Sequence, residues 1–149
     1  MLSDVYNKRI LELAANIPLL ERLPMPDATV KAHSRLCGST VTVDVTMAGD
    51  VVTGFGHEVK ACALGQASSA IMAHHVVGST AAELRHVREQ ARAILKDNAE
   101  PPEGKWADLA VLVPVRDYKA RHASTLLTFD AVVDAIAQIE QRRSGQAVA

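Results

Sequence analysis

The stretch Lys60-Ala-Cys-Ala-Leu-Gly-Gln-Ala-Ser-Ser-Ala-Ile71 joins a strand-like run to a helix that is rich in small residues. Cys62 stands at this junction, so the pattern predicts a thiol at a helix N-terminus. The free amide N–H groups and the dipole at that end of a helix favour a thiolate, which can bind a metal or accept sulfur. The only other cysteine is Cys37, in the turn signal Leu36-Cys-Gly-Ser39. We expect the fold to bring Cys37, Cys62 and a later residue together.

Composition bounds the class of protein. A chain of 149 residues predicts a single domain over residues 1–149, and 3% aromatic residues predict an aliphatic core. The net charge of -1 argues against nucleic acid or an anionic membrane surface as the main partner. The sequence contains no apolar run of roughly 20 residues and no secretory signal. Two cysteines make no disulfide framework, so we expect free thiols and a cytoplasmic location.

The first 60 residues predict one helix and a small sheet. A helix begins at Ser3-Asp4 and ends at Asn16-Ile-Pro18, because proline cannot continue the hydrogen-bond ladder. Residues 40–47 alternate polar and apolar side chains, which is typical of a half-buried strand. Strands are predicted over 29–34, 40–47 and 51–59, the last with two glycines that are typical of a bulge. The two longer strands form an antiparallel hairpin.

The rest of the chain predicts helices. The predicted elements are a helix over 63–77, a helix from 79 or 80 to about 98 and a short helix over 106–113. A basic connector over 114–121 follows. The last helix begins at 122–125 and runs through Ile139, and its polar end over 141–149 is expected to fray. The fold class is therefore α+β, with helices on one face of an antiparallel sheet of about three strands.

Three element ends carry chemistry in this topology: Cys37 before the sheet, Cys62 before the middle helix, and His122 to Ser124 at the start of the last helix. Two thiolates and an imidazole form a ligand set for zinc or for iron in a sulfide cluster. The helix dipole disfavours imidazolium at His122, so its neutral ligand form is expected. The alternative is a pair of structural cysteines with His122 facing water. The sequence contains no P-loop, no dinucleotide fingerprint and no His-Glu-x-x-His motif.

At these residues the chain resembles the NifU-type iron–sulfur cluster scaffold family, which includes IscU and SufU. Cys37-Gly38 at the head of an alternating strand is similar to the family's Cys-Gly-Asp motif. Phe55-Gly56 before Cys62, followed by Ala67-Ser-Ser69, resembles the segment of the family's second cysteine. Pro114-Val-Arg116 resembles the approach to its third cysteine. The resemblance covers most of the chain.

The resemblance implies an α+β fold in which three cysteines and an aspartate meet at one exposed edge. Family members assemble an iron–sulfur cluster or bind zinc there, receive sulfur from a cysteine desulfurase, and pass the cargo to apo iron–sulfur proteins. It therefore implies these two classes of protein partner, and it implies neither nucleic acid nor a membrane.

This sequence departs from the family pattern at two ligands. Ser39 stands where the family has its aspartate, and the third cysteine is absent. His122 lies near the missing position when the basic run is aligned, whereas Ser124 fits better by counting from Cys62. The interpretation is a non-enzymatic scaffold or carrier that binds iron, a cluster or zinc through Cys37, Cys62 and His122, with Ser39 and Ser124 as further candidates. Because two thiolates cannot complete tetrahedral coordination, we expect labile binding.

Two alternatives stay open. One is a sulfur-transfer protein in which a single cysteine accepts persulfide sulfur from a cysteine desulfurase. The other is an interaction module that binds no metal and keeps the cysteines for structural reasons.

Overall fold

The computed structural model of the chain describes residues 4–35 and 38–148. The elements are α1 (Asp4–Ala15), β1 (Ala28–His33), β2 (Thr40–Ala48), β3 (Val51–Lys60), α2 (Ala63–His75), α3 (Ala81–Lys96), a long 3₁₀ helix (Gly104–Asp117), a short 3₁₀ helix (Lys119–Arg121) and α4 (His122–Val148). The predicted α+β class is confirmed.

The sheet has three strands in the order β1-β2-β3, and both neighbouring pairs are antiparallel. The alternation in β2 sorts its side chains by face, as the sequence predicts. The residues that point from β2 into the core are Val41, Val43, Val45 and Met47. A register shift between Thr46 and Met47 lies opposite Gly54, so the predicted irregularity occurs near one of the two glycines.

The helices build the core against one face of this sheet. Helix α4 contacts β1 and β2, α2 and α3 contact α4, and α1 contacts α2. The largest fully buried side chains are mainly aliphatic and include Ile71, Leu84, Leu109 and Ile136, with Phe129 among them. Burial of each such side chain contributes about 1.5–3 kcal/mol, so the expected aliphatic core accounts for most of the packing energy.

The long 3₁₀ helix differs from the expected short helix and connector. Helical geometry is interrupted by a kink at Trp106, with φ of -102° and ψ of 21°, and then continues through Pro114 to Asp117 instead of ending at residue 113. Arg116 explains this extension, because its guanidinium donates hydrogen bonds to the carbonyl oxygens of Ile94, at 2.6 Å, and Ala99. These carbonyls lie at the end of α3 and just beyond it, where helix termini leave acceptors unsatisfied. The basic stretch therefore has a structural role, since Arg116 joins the long 3₁₀ helix to the end of α3.

The end of α4 also differs from the sequence prediction. The helix runs to Val148, whereas the polar composition predicts fraying from residue 141. Arg143 donates hydrogen bonds of 2.6 Å to the carbonyl oxygens of Gly49 and Met47, and Arg142 donates to Asp27 O. These bonds tie the last turns of the helix to the β2–β3 turn and to the start of β1.

The loop after α1 covers part of the other face of the sheet. Gly56 makes room for it, since a Cβ at this position would lie 2.1 Å from the carbonyl oxygen of Glu21. Beneath the loop, the fully buried carboxylate of Asp44 accepts hydrogen bonds from Arg22 Nε at 2.6 Å and Thr29 Oγ1 at 2.6 Å. It also accepts the N–H of Leu23 at 2.9 Å. The sequence pattern marks Asp44 only as an alternating polar residue and misses this cluster.

The Asp44 cluster predicts a large cost for losing its charge. Burial raises the pKa of Asp44, but the hydrogen bonds from Arg22, Thr29 and the Leu23 N–H outweigh burial and hold the pKa below its usual value. The stabilisation is therefore present above the unfolded-state pKa and is lost as pH falls through the lower folded-state value. We expect Asp44→Asn to lower the free energy of unfolding by about 2–4 kcal/mol in urea titrations at pH 7. The exposed control Asp134→Asn should stay within about 0.5 kcal/mol of the wild type, and equal effects of the two variants would contradict the assignment.

His57 predicts a second pH dependence. Burial lowers the pKa of this core histidine, and the hydrogen bond between Nδ1 and Leu19 O, at 2.8 Å, offsets burial only in part. Because the unfolded chain binds the proton more readily, stability should fall as pH drops below about 6.5. Urea titrations from pH 7 to pH 5 should show a smaller loss in His57→Gln than in the wild type. The exposed control His86→Gln should keep the full loss, and an unchanged slope in His57→Gln would contradict the prediction.

Candidate functional site

Cys62 is the residue that precedes the first turn of α2, as the sequence predicts. Its backbone is extended, with φ of -67° and ψ of 172°, and its side chain is half-buried. The Gln66 N–H donates to the carbonyl oxygen of Cys62 at 2.9 Å and closes the first turn. The Gln66 side chain reaches back to Ala61 O, also at 2.9 Å. These bonds hold the backbone on both sides of the thiol while the thiol itself caps no amide.

Ser124 is the residue that the structure brings to Cys62. The Cys62 Sγ and Ser124 Oγ atoms are 3.8 Å apart, a distance at which a sulfur–oxygen hydrogen bond can form. The Ser124 hydroxyl also donates to Arg121 O at 3.3 Å, and the side chain is buried. The site therefore pairs one half-exposed thiol with one buried hydroxyl at the start of α4.

Small residues on α2 permit this approach. A Cβ at Gly65 would lie 2.7 Å from the Cβ of Ala61 and 3.4 Å from the carbonyl oxygen of Ser124. One turn further, Ser69 Oγ and Thr128 Oγ1 form a buried hydrogen bond of 2.6 Å. The run of small residues after Cys62 thus serves a close contact between α2 and α4.

His122 faces a different group of atoms. Its buried imidazole places Nε2 3.0 Å from Val115 O and 3.1 Å from Arg116 O. Two carbonyl oxygens are acceptors, so Nε2 carries the hydrogen and donates. Residues two apart on an α-helix point about 200° apart, so His122 and Ser124 cannot present the same face of α4. Ligation by His122 stays a prediction, and the hydrogen bonds described for its ring do not involve Cys62.

Cys37 lies outside the described residues, so its predicted role is a matter for experiment. The described residues on either side of it are joined by backbone hydrogen bonds. The Gly38 N–H donates to Ser34 O at 2.9 Å, and the Ser34 N–H donates to Ser39 O at 2.8 Å. Ser39, the further candidate ligand, is buried. Its ligand role also stays a prediction.

The ends of the strands place these flanking residues near the site. Thr40 pairs with His33 on β1 and with Lys60 on β3, so the connection from β1 to β2 lies at the end of the sheet where β3 ends. Cys62 follows Lys60 by two positions. The sheet therefore brings the end of β1, the start of β2 and the residue Cys62 to one end of the fold.

Residues 4–35 and 38–148 contain no group of three histidine, cysteine, aspartate or glutamate side chains that could hold a metal ion. Cys62 and Ser124 alone give one thiolate and one hydroxyl, which is too few donors for zinc or for a cluster. A cargo bound by thiolates fits this site only with Cys37 as a second ligand.

Comparison with solved structures gives matches over nearly the whole chain. A nitrogen-fixing NifU-like protein (N-terminal) from Brucella abortus is 61% identical, with 93% of this chain and 96% of that chain covered and a TM-score of 0.89. A candidate iron–sulfur cluster assembly scaffold protein for the SUF system from Fervidobacterium islandicum AW-1 is 20% identical, with 87% and 94% covered and a TM-score of 0.79. A hypothetical protein is 17% identical, with 89% and 97% covered and a TM-score of 0.80. The last two similarities concern the fold alone.

Other comparisons add no further relative. No protein-family model and no curated protein matches the chain. Among the helices of the described part, none has the length and apolarity that a membrane crossing requires.

The contact at Gly65 makes a specific prediction about glycine replacement. Alanine normally stabilises a helix interior by about 1 kcal/mol relative to glycine, and Gly145→Ala in the exposed part of α4 should be neutral or gain up to that amount. Gly65→Ala should instead lose about 1–2 kcal/mol, because its Cβ meets Ala61. Thermal and urea unfolding measure both variants. A stabilising Gly65→Ala would contradict the clash with Ala61 and show that this position does not require glycine.

Proposed function

The chain belongs to the NifU-like protein family, and from that premise we propose that it is a scaffold or carrier in iron–sulfur cluster assembly. The observation that carries the proposal is the 3.8 Å approach of the Cys62 thiol to Ser124, at the end of the sheet where β1 ends and β2 begins. Half-exposure of Cys62 allows a cargo to reach the thiol. The similarity to the NifU-like protein from Brucella abortus, which covers 93% of this chain, also supports the proposal.

Cys37 and Cys62 are the proposed protein ligands of the cargo. Thiolates bind iron in sulfide clusters and also bind zinc, so both are proposed occupants of the same pair. Ser124 occupies the position beside Cys62, but a serine hydroxyl is a poor metal ligand at neutral pH. The remaining coordination positions are then filled by water or by a partner protein. A cargo held by two thiolates is released more readily than one held by three, which suits a carrier.

In this proposal His122 has a structural role, because its ring is hydrogen-bonded to backbone carbonyl oxygens. Its Nε2–H bridges to Val115 O and Arg116 O, which ties the first turn of α4 to the end of the long 3₁₀ helix. This contact fixes the turn that contains Ser124. To become the third ligand through Nε2, His122 would have to give up both hydrogen bonds. We therefore favour Ser124 over His122 as the residue that faces the cargo.

A second candidate function is sulfur transfer. It needs one accessible thiol and no set of three ligands, and the half-buried Cys62 meets that requirement. To donate a hydrogen bond to a sulfur atom bound there, the Ser124 hydroxyl would turn its single hydrogen away from Arg121 O. A cysteine desulfurase would supply the sulfur, and apo iron–sulfur proteins would be the recipients of sulfur or cluster. Both are proposed partners, and a cytoplasmic location is proposed with them.

Restoring a third thiol tests the carrier proposal. After anaerobic reconstitution with ferrous iron and sulfide, the wild type should bind iron and lose it quickly to a chelator, whereas Cys62→Ala should bind little. Ser124→Cys should retain iron at least about tenfold longer, because a thiolate replaces a weak donor beside Cys62. Ser144→Cys adds a thiol at an exposed position of α4 and should behave like the wild type. Iron content and release are followed by absorbance.

Three outcomes would favour a different function or a different third ligand. Faster release in His122→Gln than in Ser124→Ala would return the third ligand to His122. Absence of iron and zinc in every variant, with one sulfur atom added to Cys62 by a desulfurase and cysteine, would favour sulfur transfer. Absence of both metal and sulfur would contradict the two proposals and leave an interaction module.

A further inference from the structure

A positively charged groove lies beside the candidate site, and neither the family assignment nor the proposed ligands account for it. Two adjoining cavities of about 430 and 450 Å³ share the residues Lys96, Lys119 and His122. Together they extend between α3, the short 3₁₀ helix and the first turns of α4. The cations that line them are Arg88, Arg92, Lys96, Arg116 and Lys119, and we call this surface the basic groove.

Two of the five cations are engaged in holding the fold. Arg88 Nε donates to Asp130 Oδ1 at 2.7 Å, which joins α3 to α4. Arg116 donates to the carbonyl oxygens of Ile94 and Ala99. These contacts fix the walls of the groove but leave little of the Arg88 charge for a ligand.

The other three cations are available. Lys96 and Lys119 are exposed, and neither forms an ion pair with any residue in the described ranges. Arg92 makes one loose contact, 3.6 Å from the carboxylate of Asp97, and both side chains are exposed. Such a pair contributes little and opens readily. In a chain whose net charge is -1, these three unpaired or weakly paired cations form a local positive surface.

The floor of the groove is apolar. Leu126 and Leu127 line it at 7% exposure each, next to the exposed Ala123. Two carboxylates, Asp117 and Asp130, interrupt the positive charge. A phosphate backbone carries a charge at every unit, so it cannot avoid these carboxylates as a peptide with spaced charges can, and it would gain nothing from the leucines. A peptide that mixes carboxylates with apolar side chains matches both features.

The position of the groove relates it to the site. Ala123 precedes Ser124 in the first turn of α4, and the groove also reaches His33 and Ser34 at the end of β1. The groove therefore runs along the first turns of α4, on a face other than the one that carries Ser124, and reaches the end of β1.

We infer that the basic groove docks an extended acidic segment, with apolar side chains, of a partner protein that exchanges cargo with this chain, and the identity of that partner rests on the proposed function. The carboxylates of the segment contact Arg92, Lys96 and Lys119, and its apolar side chains contact Leu126 and Leu127. Docking requires no metal, so its test is independent of the proposed cargo.

Fluorescence anisotropy tests the inference with a short fluorescein-labelled peptide that alternates glutamate and leucine. The wild type should bind it, and binding should weaken as salt screens the charges. The double variant Lys96→Glu/Lys119→Glu should bind at least about tenfold more weakly, because two exposed ion pairs are replaced by two repulsions. The double variant Lys8→Glu/Lys31→Glu changes net charge equally at exposed positions on α1 and β1, and should stay within about twofold of the wild type.

Two further probes decide the chemistry of the ligand. A glutamate–serine peptide should bind more weakly than the glutamate–leucine peptide, because it loses the contacts with Leu126 and Leu127, and equal binding would contradict these contacts. A single-stranded oligonucleotide of the same charge should bind more weakly than either peptide. Absence of peptide binding at low salt, equal losses in the two double variants, or tighter binding of the oligonucleotide would each overturn the inference.

Discussion

The close contact between the beginnings of α2 and α4 is the constraint on which the candidate site depends. A Cβ on Gly65 would lie 3.4 Å from the Ser124 carbonyl oxygen, which is van der Waals contact, and the buried Ser69–Thr128 hydrogen bond fixes the two helices one turn further along. Because Cys62 precedes α2 by one residue, this packing also sets the distance from its thiol to Ser124. The contact between Cys62 and Ser124 is therefore a consequence of helix packing.

The rest of the fold supports the same end of the molecule. Strands β1 and β3 end there, and β2 begins there. His122 holds the first turn of α4 against the long 3₁₀ helix. At the opposite end, Arg143 binds the carbonyl oxygens of the β2–β3 turn. Helix α4 is thus anchored to the structure at both ends, which keeps Ser124 in a defined position relative to the sheet.

Local patterns predict much of this structure. Alternation gives the strands, and the change to small residues gives the start of α2 at Cys62, because both signals lie within a few neighbouring residues. The choice between His122 and Ser124 does not follow from sequence, since it depends on the rotation of α4 against α2. Burial of Asp44 likewise depends on a loop folding over the sheet. The extended 3₁₀ helix and the ordered end of α4 depend on distant carbonyl groups that Arg116 and Arg143 reach.

We propose that Cys37 and Cys62 lie together at the end of the fold where β3 ends and α2 begins. Reaction of reduced, dilute, metal-free protein with dibromobimane, which fluoresces when both of its ends have reacted with thiols, tests this most directly. If Cys37 and Cys62 lie together, the product is a fluorescent monomer in which one reagent bridges both cysteines, and Cys62→Ala gives no fluorescence. Two separate single-ended adducts on the wild type would contradict it, because thiols that cannot be bridged cannot share an iron ion.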